Sequence, residues 1–194
     1  MRHSPAHCRV SATRFTGRDG ELRQLSRLLA EGRNIILTGV FGTGRTALIH
    51  QLARAERRQF MFWCSKDSYR TLRLAVRRSR AVPVVVMDDV VHVTPQRLRL
   101  FRELLRARRC QFIVIVERSL PDGELMRLRA ALQAPRPICL GPLSEEATER
   151  YFALAVREHG LNWTPDEIRL IAQSTHGHPL IMRATIDVAV AGRS

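Results

Sequence analysis

Lysine is almost absent from this chain of 194 residues. Of its 32 basic residues all but Lys66 are arginine, and with only 18 acidic residues the formal net charge is +14. A GC-rich genome favours arginine codons, which accounts for arginine over lysine but not for the excess of positive charge. Such an excess predicts attraction to nucleic acid or to an acidic partner protein.

Long apolar runs and paired cysteines are also missing. No segment approaches the roughly 18 apolar residues of a membrane span, and the N-terminus lacks the apolar stretch of a signal peptide. The four cysteines show no CxxC spacing, so Cys64, Cys110 and Cys139, in or beside apolar runs, are expected to be buried reduced thiols. We expect a cytoplasmic protein in which residues 1–14 form a flexible tail rather than a transit peptide.

Apolar runs without polar alternation predict five strands, and the helical spacing of apolar residues predicts helices between them. The strands are Asn34–Thr38, Phe60–Cys64, Pro83–Asp88, Gln111–Val116 and Pro137–Leu140, and the helices are 20–31, 46–58, 68–80, 94–108 and 121–132. This alternation is typical of an α/β fold with a parallel sheet covered on both faces. Only helices follow Gly141, at about 144–158, 165–175 and 179–191.

Residues 39–46, with the sequence GVFGTGRT, have the glycine spacing of a phosphate-binding loop (P-loop) between a strand and a helix. Glycine lets the backbone turn tightly and aim its N–H groups at phosphate oxygens. The N-terminus of the following helix adds partial positive charge, and the hydroxyl of Thr46 is expected on Mg²⁺. The alternative is a glycine-rich turn without a ligand. The predicted nucleotide contacts are Gly39, Gly42, Thr43, Gly44, Arg45, Thr46 and Ala47.

Arg45 stands where the loop pattern has lysine. A lysine ammonium is compact and reaches the β- and γ-phosphates, whereas guanidinium is planar and bulkier. We therefore predict that nucleotide binding survives and that hydrolysis, for which Arg45 would be a catalytic residue, is slow.

Two acids, Asp88 and Asp89, end the third apolar strand in the sequence VVVMDD. The C-terminal ends of parallel strands form the ligand-binding edge of a sheet. Asp88 is the predicted partner of Mg²⁺, through water, and Asp89 is the predicted residue that polarises the attacking water. The alternative is two solvated acids that begin a loop.

Together these motifs resemble a known family. FTGRD at 15–19, the P-loop, VVVMDD, IVIVERS, LGPLSEEATERYF and GHPL occur in the order seen in the STAND ATPases, including their NB-ARC branch. They are also similar to the archaeal ATPase and origin-recognition relatives within the AAA+ group. The resemblance covers roughly 15–190 and implies a P-loop core at 15–141, with strand order 5-1-4-3-2, and a helical lid at 142–194.

The resemblance also implies roles for residues outside the P-loop. Phe15, Thr16 and Arg18 match the motif beside the base and ribose, and Arg118 matches the catalytic sensor arginine beside the γ-phosphate. Pro179, in the GHP sequence, matches the lid proline on the adenine side. The plainer readings are an ordinary helix entry, a solvated arginine and a helix-starting proline.

Two helices carry arginines at the spacing i, i+3, i+7, i+10, which lines them along one helix face. They are Arg70, Arg73, Arg77 and Arg80 on one helix and Arg99, Arg102, Arg106 and Arg109 on the next. Right-handed crossovers within the implied strand order would put these helices and 121–132 on one side of the sheet. Aromatic residues make up only 6% of the chain, so phosphate contact is favoured over base stacking. The alternative is a pair of solvated helix faces.

Three functions are compatible with these patterns. The first is a switch of STAND or AAA+ type that binds ATP or ADP with Mg²⁺ and hydrolyses ATP slowly. We also consider a homo-oligomer as the form of this switch. The second is a DNA-binding accessory ATPase of replication or transposition, which the net charge favours. The third, a small-molecule kinase, is disfavoured by the second acid at Asp89 and by the GHP turn. The chain lacks the NKxD tetrapeptide that reads guanine, but this absence alone does not separate ATP from GTP.

Overall fold

The computed structural model describes residues 16–63 and 68–192, so Phe15, Cys64 and the tail lie outside the described residues. Five strands are formed: β1 (Ile35–Gly39), β2 (Phe60–Trp63), β3 (Val84–Val90), β4 (Gln111–Glu117) and β5 (Ile138–Leu140). The helices within the same region are α1 (Asp19–Ala30), α2 (Arg45–Ala55), α3 (Tyr69–Arg78), α4 (Pro95–Arg106) and α5 (Asp122–Leu132). They are followed by α6 (Glu145–His159), α7 (Pro165–Ser174) and α8 (Pro179–Ala191).

The described residues divide into two compact units. The larger unit, residues 18–142, contains the sheet and α1 to α5, and the smaller unit contains residues 16–17 and the helices of 143–192.

All five strands of the larger unit pair in parallel in the order β2-β3-β4-β1-β5. This confirms the predicted α/β class and the strand order 5-1-4-3-2. The apolar runs become strands because both faces of the sheet are buried, as along β4, where only Glu117 at the end is partly exposed.

One hydrophobic cluster shows that α3, α4 and α5 cover the same side of the sheet. Leu72 and Val76 of α3, Leu100, Phe101 and Leu104 of α4, and Leu128 and Leu132 of α5 pack with Val85, Met87, Phe112 and Val114 of the central strands. This placement agrees with the right-handed crossovers expected from the strand order. It also puts the arginine-bearing faces of α3 and α4 on one side of the molecule.

One local expectation was confirmed and others were wrong. Cys110 is buried, and burial raises the pKa of its thiol to about 12, whereas Cys139 is exposed because β5 is an edge strand. Helix α2 ends at Ala55, three residues earlier than predicted, because Glu56 is extended.

The helices of the smaller unit pack around Phe152, Leu161, Met182 and Ile186. Ser144 caps α6, with its side chain accepting a hydrogen bond from Ala147 N at 3.2 Å. The sequence reading missed a complete capping box on α7, formed by Thr164 and Glu167.

Gly177, in the GHP turn before α8, has a structural role within the smaller unit. Its φ is +64°, and its carbonyl oxygen accepts a hydrogen bond from Leu143 N at 2.8 Å. A Cβ at this position would overlap the carbonyl oxygen of Leu143. Only glycine therefore fits where these two segments pass backbone against backbone.

We expect Gly177→Ala to lower the free energy of unfolding by about 2–4 kcal/mol, the sum of a left-handed backbone and an overpacked contact. Chemical denaturation followed by circular dichroism measures the change. The matched control is Gly192→Ala, because a Cβ there meets nothing closer than 3.6 Å and the φ of Gly192 is −70°. Equal stability of the two variants would contradict this role.

Candidate functional site

The glycine loop follows β1 directly and folds into a defined turn. The backbone N–H and the hydroxyl of Thr43 both donate to the carbonyl oxygen of Val40, at 3.3 and 2.8 Å. Gly42 and Gly44 have φ of +82° and +87°, a conformation that side-chain-bearing residues rarely adopt. The glycine spacing in the sequence therefore corresponds to a backbone need at these two positions.

Gly39 is required for a different reason, which is space. A Cβ on Gly39 would lie 2.8 Å from the carbonyl oxygen of Leu140 and 2.9 Å from Oγ1 of Thr43. The loop therefore begins packed against the end of β5, and this packing holds its start in place.

Helix α2 begins at Arg45 with no side chain to cap it. Its N-cap residue is Gly44, and no acidic residue lies in its first turn. The N–H groups of the first turn of a helix have no partner within the helix, and α3, α4, α6 and α7 satisfy one of them with a Ser or Thr side chain. The N-termini of α1, α5 and α8 also lack a side-chain cap, so the feature that distinguishes α2 is the glycine loop before it, which suits an anion at the helix N-terminus.

Thr46 and Asp88, the two residues predicted to hold Mg²⁺, lie next to each other in the structure. The hydroxyl Oγ1 of Thr46 lies 2.7 Å from Oδ2 of Asp88, although 42 residues separate them. A hydroxyl can donate its proton to the carboxylate and still offer lone pairs to a cation. The pair therefore has the donor chemistry of a Mg²⁺ site, namely a hydroxyl oxygen beside a carboxylate.

A β-bulge places the two acids. Met87 pairs with Val114 and Val90 with Val116, so three steps along β3 match two along β4. The extra residue falls at the Asp88–Asp89 pair, and bulges of this kind redirect side chains at sheet edges. The side chain of Asp89 is outside the described part of the structure, so its predicted catalytic role stays a prediction.

The side chain of Arg45 lies against the end of β4. Its Nη1 donates to the carbonyl oxygen of Val116 at 2.5 Å, and its Nη2 lies 3.8 Å from Oε1 of Glu117. The side chain is 11% exposed. Sequence reasoning missed Glu117, although its place at the end of the fourth apolar strand was a usable signal.

Arg18 is buried and bound to backbone on both sides of the loop. Its Nη2 donates to the carbonyl oxygens of Thr43 at 3.3 Å and Gly141 at 2.5 Å, and its Nη1 donates to Glu21 at 2.8 Å. The structure thus places Arg18 as a brace between the glycine loop and the end of β5. Its predicted contact with the nucleotide stays a prediction.

The remaining predicted residues lie in different places. Arg118 is exposed in the turn after β4, in the same unit as the glycine loop. Thr16 and Pro179 belong to the smaller unit. The hydroxyl Oγ1 of Thr16 is buried, and no hydrogen-bond partner for it is found in the described residues. Phe15 lies outside the described residues.

The arginines of α3 and α4 form a face with one sign of charge. The only acid on the two helices is Glu103, which is bound by Arg73 at 2.7–3.0 Å. The hydrogen bond from Arg73 lowers the pKa of Glu103, so this acid is ionised and already paired. The exposed arginines of this face, which we call the arginine face, are Arg70, Arg77, Arg78, Arg80, Arg99, Arg102, Arg106, Arg108 and Arg109.

Other types of site are not indicated within the described residues. They contain no group of three or more His, Cys, Asp or Glu side chains placed to hold a metal ion. No helix among residues 16–63 and 68–192 is long and apolar enough to cross a membrane.

Neither a protein-family profile nor a curated protein sequence matches the chain. Solved structures of RuvB from Thermotoga maritima, an AAA+ P-loop ATPase, do match in fold. A point mutant superimposes with a TM-score of 0.68 over 89% of this chain at 14% identity. RuvB described as the Holliday junction branch migration motor gives a TM-score of 0.67 over 87% at 15% identity. This chain spans only 62% and 59% of those two chains, and the likeness establishes the P-loop ATPase fold alone.

Proposed function

We propose that this chain binds ATP or ADP with Mg²⁺ and acts as a nucleotide-dependent switch of the AAA+ group, of STAND type. One observation carries the proposal: the uncapped N-terminus of α2, at the end of a glycine loop, lies beside the Thr46–Asp88 pair. Backbone N–H donors and a hydroxyl–carboxylate pair at the same edge of a sheet fit a phosphate with its magnesium ion.

Different residues of the larger unit would bind the phosphates and the Mg²⁺ ion of the nucleotide. The N–H groups of Gly42 and of Gly44 to Ala47 would bind phosphate oxygens, while that of Thr43 holds the turn through Val40. Thr46 and Asp88 would hold Mg²⁺, which supplies charge neutralisation for the phosphates. Arg18 would act indirectly by holding the loop through Thr43. We further propose 15–141 as the nucleotide-binding core and 142–194 as the lid that responds to nucleotide. Thr16 stays a proposed contact for the base or ribose, as the family resemblance implies.

Slow hydrolysis is part of this proposal. Arg45 is held by Val116 O and faces Glu117, so its freedom to follow a departing γ-phosphoryl group is limited. A switch needs nucleotide to bind its two conformations with different affinity and does not need rapid turnover. Asp89 and Arg118 would supply what hydrolysis there is, as water-polarising acid and γ-phosphate sensor.

Calorimetry with ATP or ADP in the presence of Mg²⁺ is expected to show micromolar binding, about −8 kcal/mol. Gly44→Ala is expected to weaken it about tenfold, because the loop would relax and must regain a left-handed residue costing about 1–2 kcal/mol on binding.

The matched control for Gly44→Ala is Gly32→Ala. Both glycines have positive φ, +87° and +73°, and a Cβ on either meets nothing within 4 Å. Only Gly44 belongs to the loop, so nucleotide affinity should fall in Gly44→Ala alone, whereas Gly32→Ala should lower the free energy of unfolding and leave nucleotide affinity unchanged. Absence of heat and of a thermal shift at millimolar nucleotide would refute nucleotide binding.

The arginine face favours a second function, a DNA-binding accessory ATPase. Six of its nine exposed arginines lie on α3 and α4, whose single acid is already paired, and the other three follow the C-terminal ends of these helices. Arg102 and Arg106 also line a groove of about 280 Å³ against Ala130, Ala131 and Gln133. Such a surface suits a duplex backbone, which arginine contacts through phosphate oxygens without reading sequence. One of the matching RuvB structures is described as a Holliday junction branch migration motor, which is consistent with this second function.

A further inference from the structure

Glu117 places a carboxylate next to the start of the glycine loop. It is the last residue of β4, and in the parallel register of β1 and β4 its Cα partner is Gly39, where the loop begins. Its side chain is 36% exposed, so it is accessible to solvent at this edge of the sheet. The P-loop pattern of residues 39–46 does not explain an acid at position 117.

This carboxylate accepts a hydrogen bond from the hydroxyl of Ser119 through Oε2, at 3.4 Å, and its charged partner is Arg45, the cation of the loop. Nη2 of Arg45 lies 3.8 Å from Oε1 of Glu117, within ion-pair range but beyond a hydrogen bond. The close contact of Arg45 is with the carbonyl oxygen of Val116 through Nη1. The guanidinium is therefore anchored by a neutral carbonyl, and its charge is balanced by a loosely held acid.

The position of Arg45 in the loop indicates a function for this ion pair. In the P-loop pattern the residue at this position reaches the β- and γ-phosphates. Phosphate oxygens and the Glu117 carboxylate are the same kind of partner for a guanidinium, namely anionic oxygen acceptors. The carboxylate of Glu117 and a phosphate cannot both fully neutralise the single positive charge of Arg45.

We propose that Glu117 competes with the terminal phosphate of the nucleotide for Arg45, and so sets the preference of the site between triphosphate and diphosphate. The proposal rests on the nucleotide-binding function proposed above. A triphosphate brings more negative charge toward Arg45 than a diphosphate does, so the carboxylate penalises ATP more than ADP.

The chemistry of the residue types explains why this arrangement accompanies arginine. Guanidinium has five N–H donors in a planar fork, so one Nη can stay on Val116 O while the other exchanges Glu117 for phosphate. A lysine ammonium is a compact point charge and lacks that divided geometry. The arginine at position 45 and the acid at position 117 therefore act together.

The test compares the affinities of Glu117→Gln and the parent protein for ADP and for a non-hydrolysable ATP analogue, both with Mg²⁺, by calorimetry. Glutamine keeps the shape and removes the charge. We expect the ATP analogue to bind about tenfold more tightly to Glu117→Gln than to the parent, because the variant lacks one negative charge near the terminal phosphate. The affinity for ADP should change by less than about threefold. Glu31→Gln is the control, because it makes the same change of net charge at an exposed acid paired with Arg27 on α1.

A double-mutant cycle with Arg45→Ala separates competition for Arg45 from direct repulsion of phosphate. Competition predicts that the gain from Glu117→Gln disappears when Arg45 is absent. The same gain in both backgrounds would overturn the proposal, as would an unchanged preference or a weaker affinity for the ATP analogue in Glu117→Gln. Failure of the parent and all variants to bind either nucleotide would instead refute the proposed function and this inference together.

Discussion

Replacing Asp88 by asparagine is expected to weaken the binding of Mg²⁺–ATP by about 10- to 100-fold, the usual effect of losing an outer-shell carboxylate. The same loss is expected for Thr46→Ala, because the two side chains form one hydroxyl–carboxylate pair at 2.7 Å. In EDTA the parent and both variants should bind ATP with similar, weaker affinity. The measurement is an ATP titration at several Mg²⁺ concentrations.

The matched control is Thr46→Ser, which keeps the hydroxyl and removes only a methyl group. It should bind Mg²⁺–ATP almost as the parent does. If Thr46→Ala and Asp88→Asn retained the full effect of Mg²⁺, the pair would be a structural hydrogen bond of the loop, and the ion would have other ligands.

DNA binding by the arginine face is expected to fall about 10³-fold between 50 and 200 mM salt, with a log–log slope of roughly −5 for about six neutralised phosphates. Replacing Arg99, Arg102 and Arg106 of α4 with glutamine should reduce the magnitude of that slope by about three. Affinity should depend little on the sequence of the duplex, since phosphates carry no sequence information. Titration of a labelled duplex at several salt concentrations measures both quantities.

A triple variant with the same change of net charge controls for overall charge. Arg150, Arg157 and Arg183 are exposed on helices of the smaller unit, away from α3 and α4 in the sequence. Their replacement by glutamine should leave the salt slope close to that of the parent. Equal effects of the two triple variants would mean that DNA responds to net charge alone, and a flat salt dependence would leave the arginine face as a solvated surface.

The two functions make separable predictions, since they depend on different residues. Nucleotide binding depends on the loop and on Thr46 and Asp88, whereas the arginine face lies on α3 and α4. A protein that binds nucleotide but not DNA would support the switch alone. A protein whose DNA affinity changes with ATP would support the accessory ATPase, because the two ligands would then be coupled.

The sequence by itself determined the elements and the chemistry of the loop. Fully apolar runs such as residues 84–87 and 112–116 are readable because a strand buried on both faces needs apolar residues at every position. The glycines at 42 and 44 are readable because few other residues tolerate their positive φ. Leu100, Phe101 and Leu104 are buried and recur at helical spacing, and signals of this kind are local in the chain.

Only the tertiary structure decided which groups meet. The partner of Arg45 depends on β4 lying beside β1, and the bond between Arg18 and Gly141 spans 123 positions of the chain. The exposure of Cys139 follows from the edge position of β5, which its apolar neighbours do not reveal. Contacts of this kind are set by strand order and register, through which residues distant in sequence become neighbours, and no local pattern encodes them.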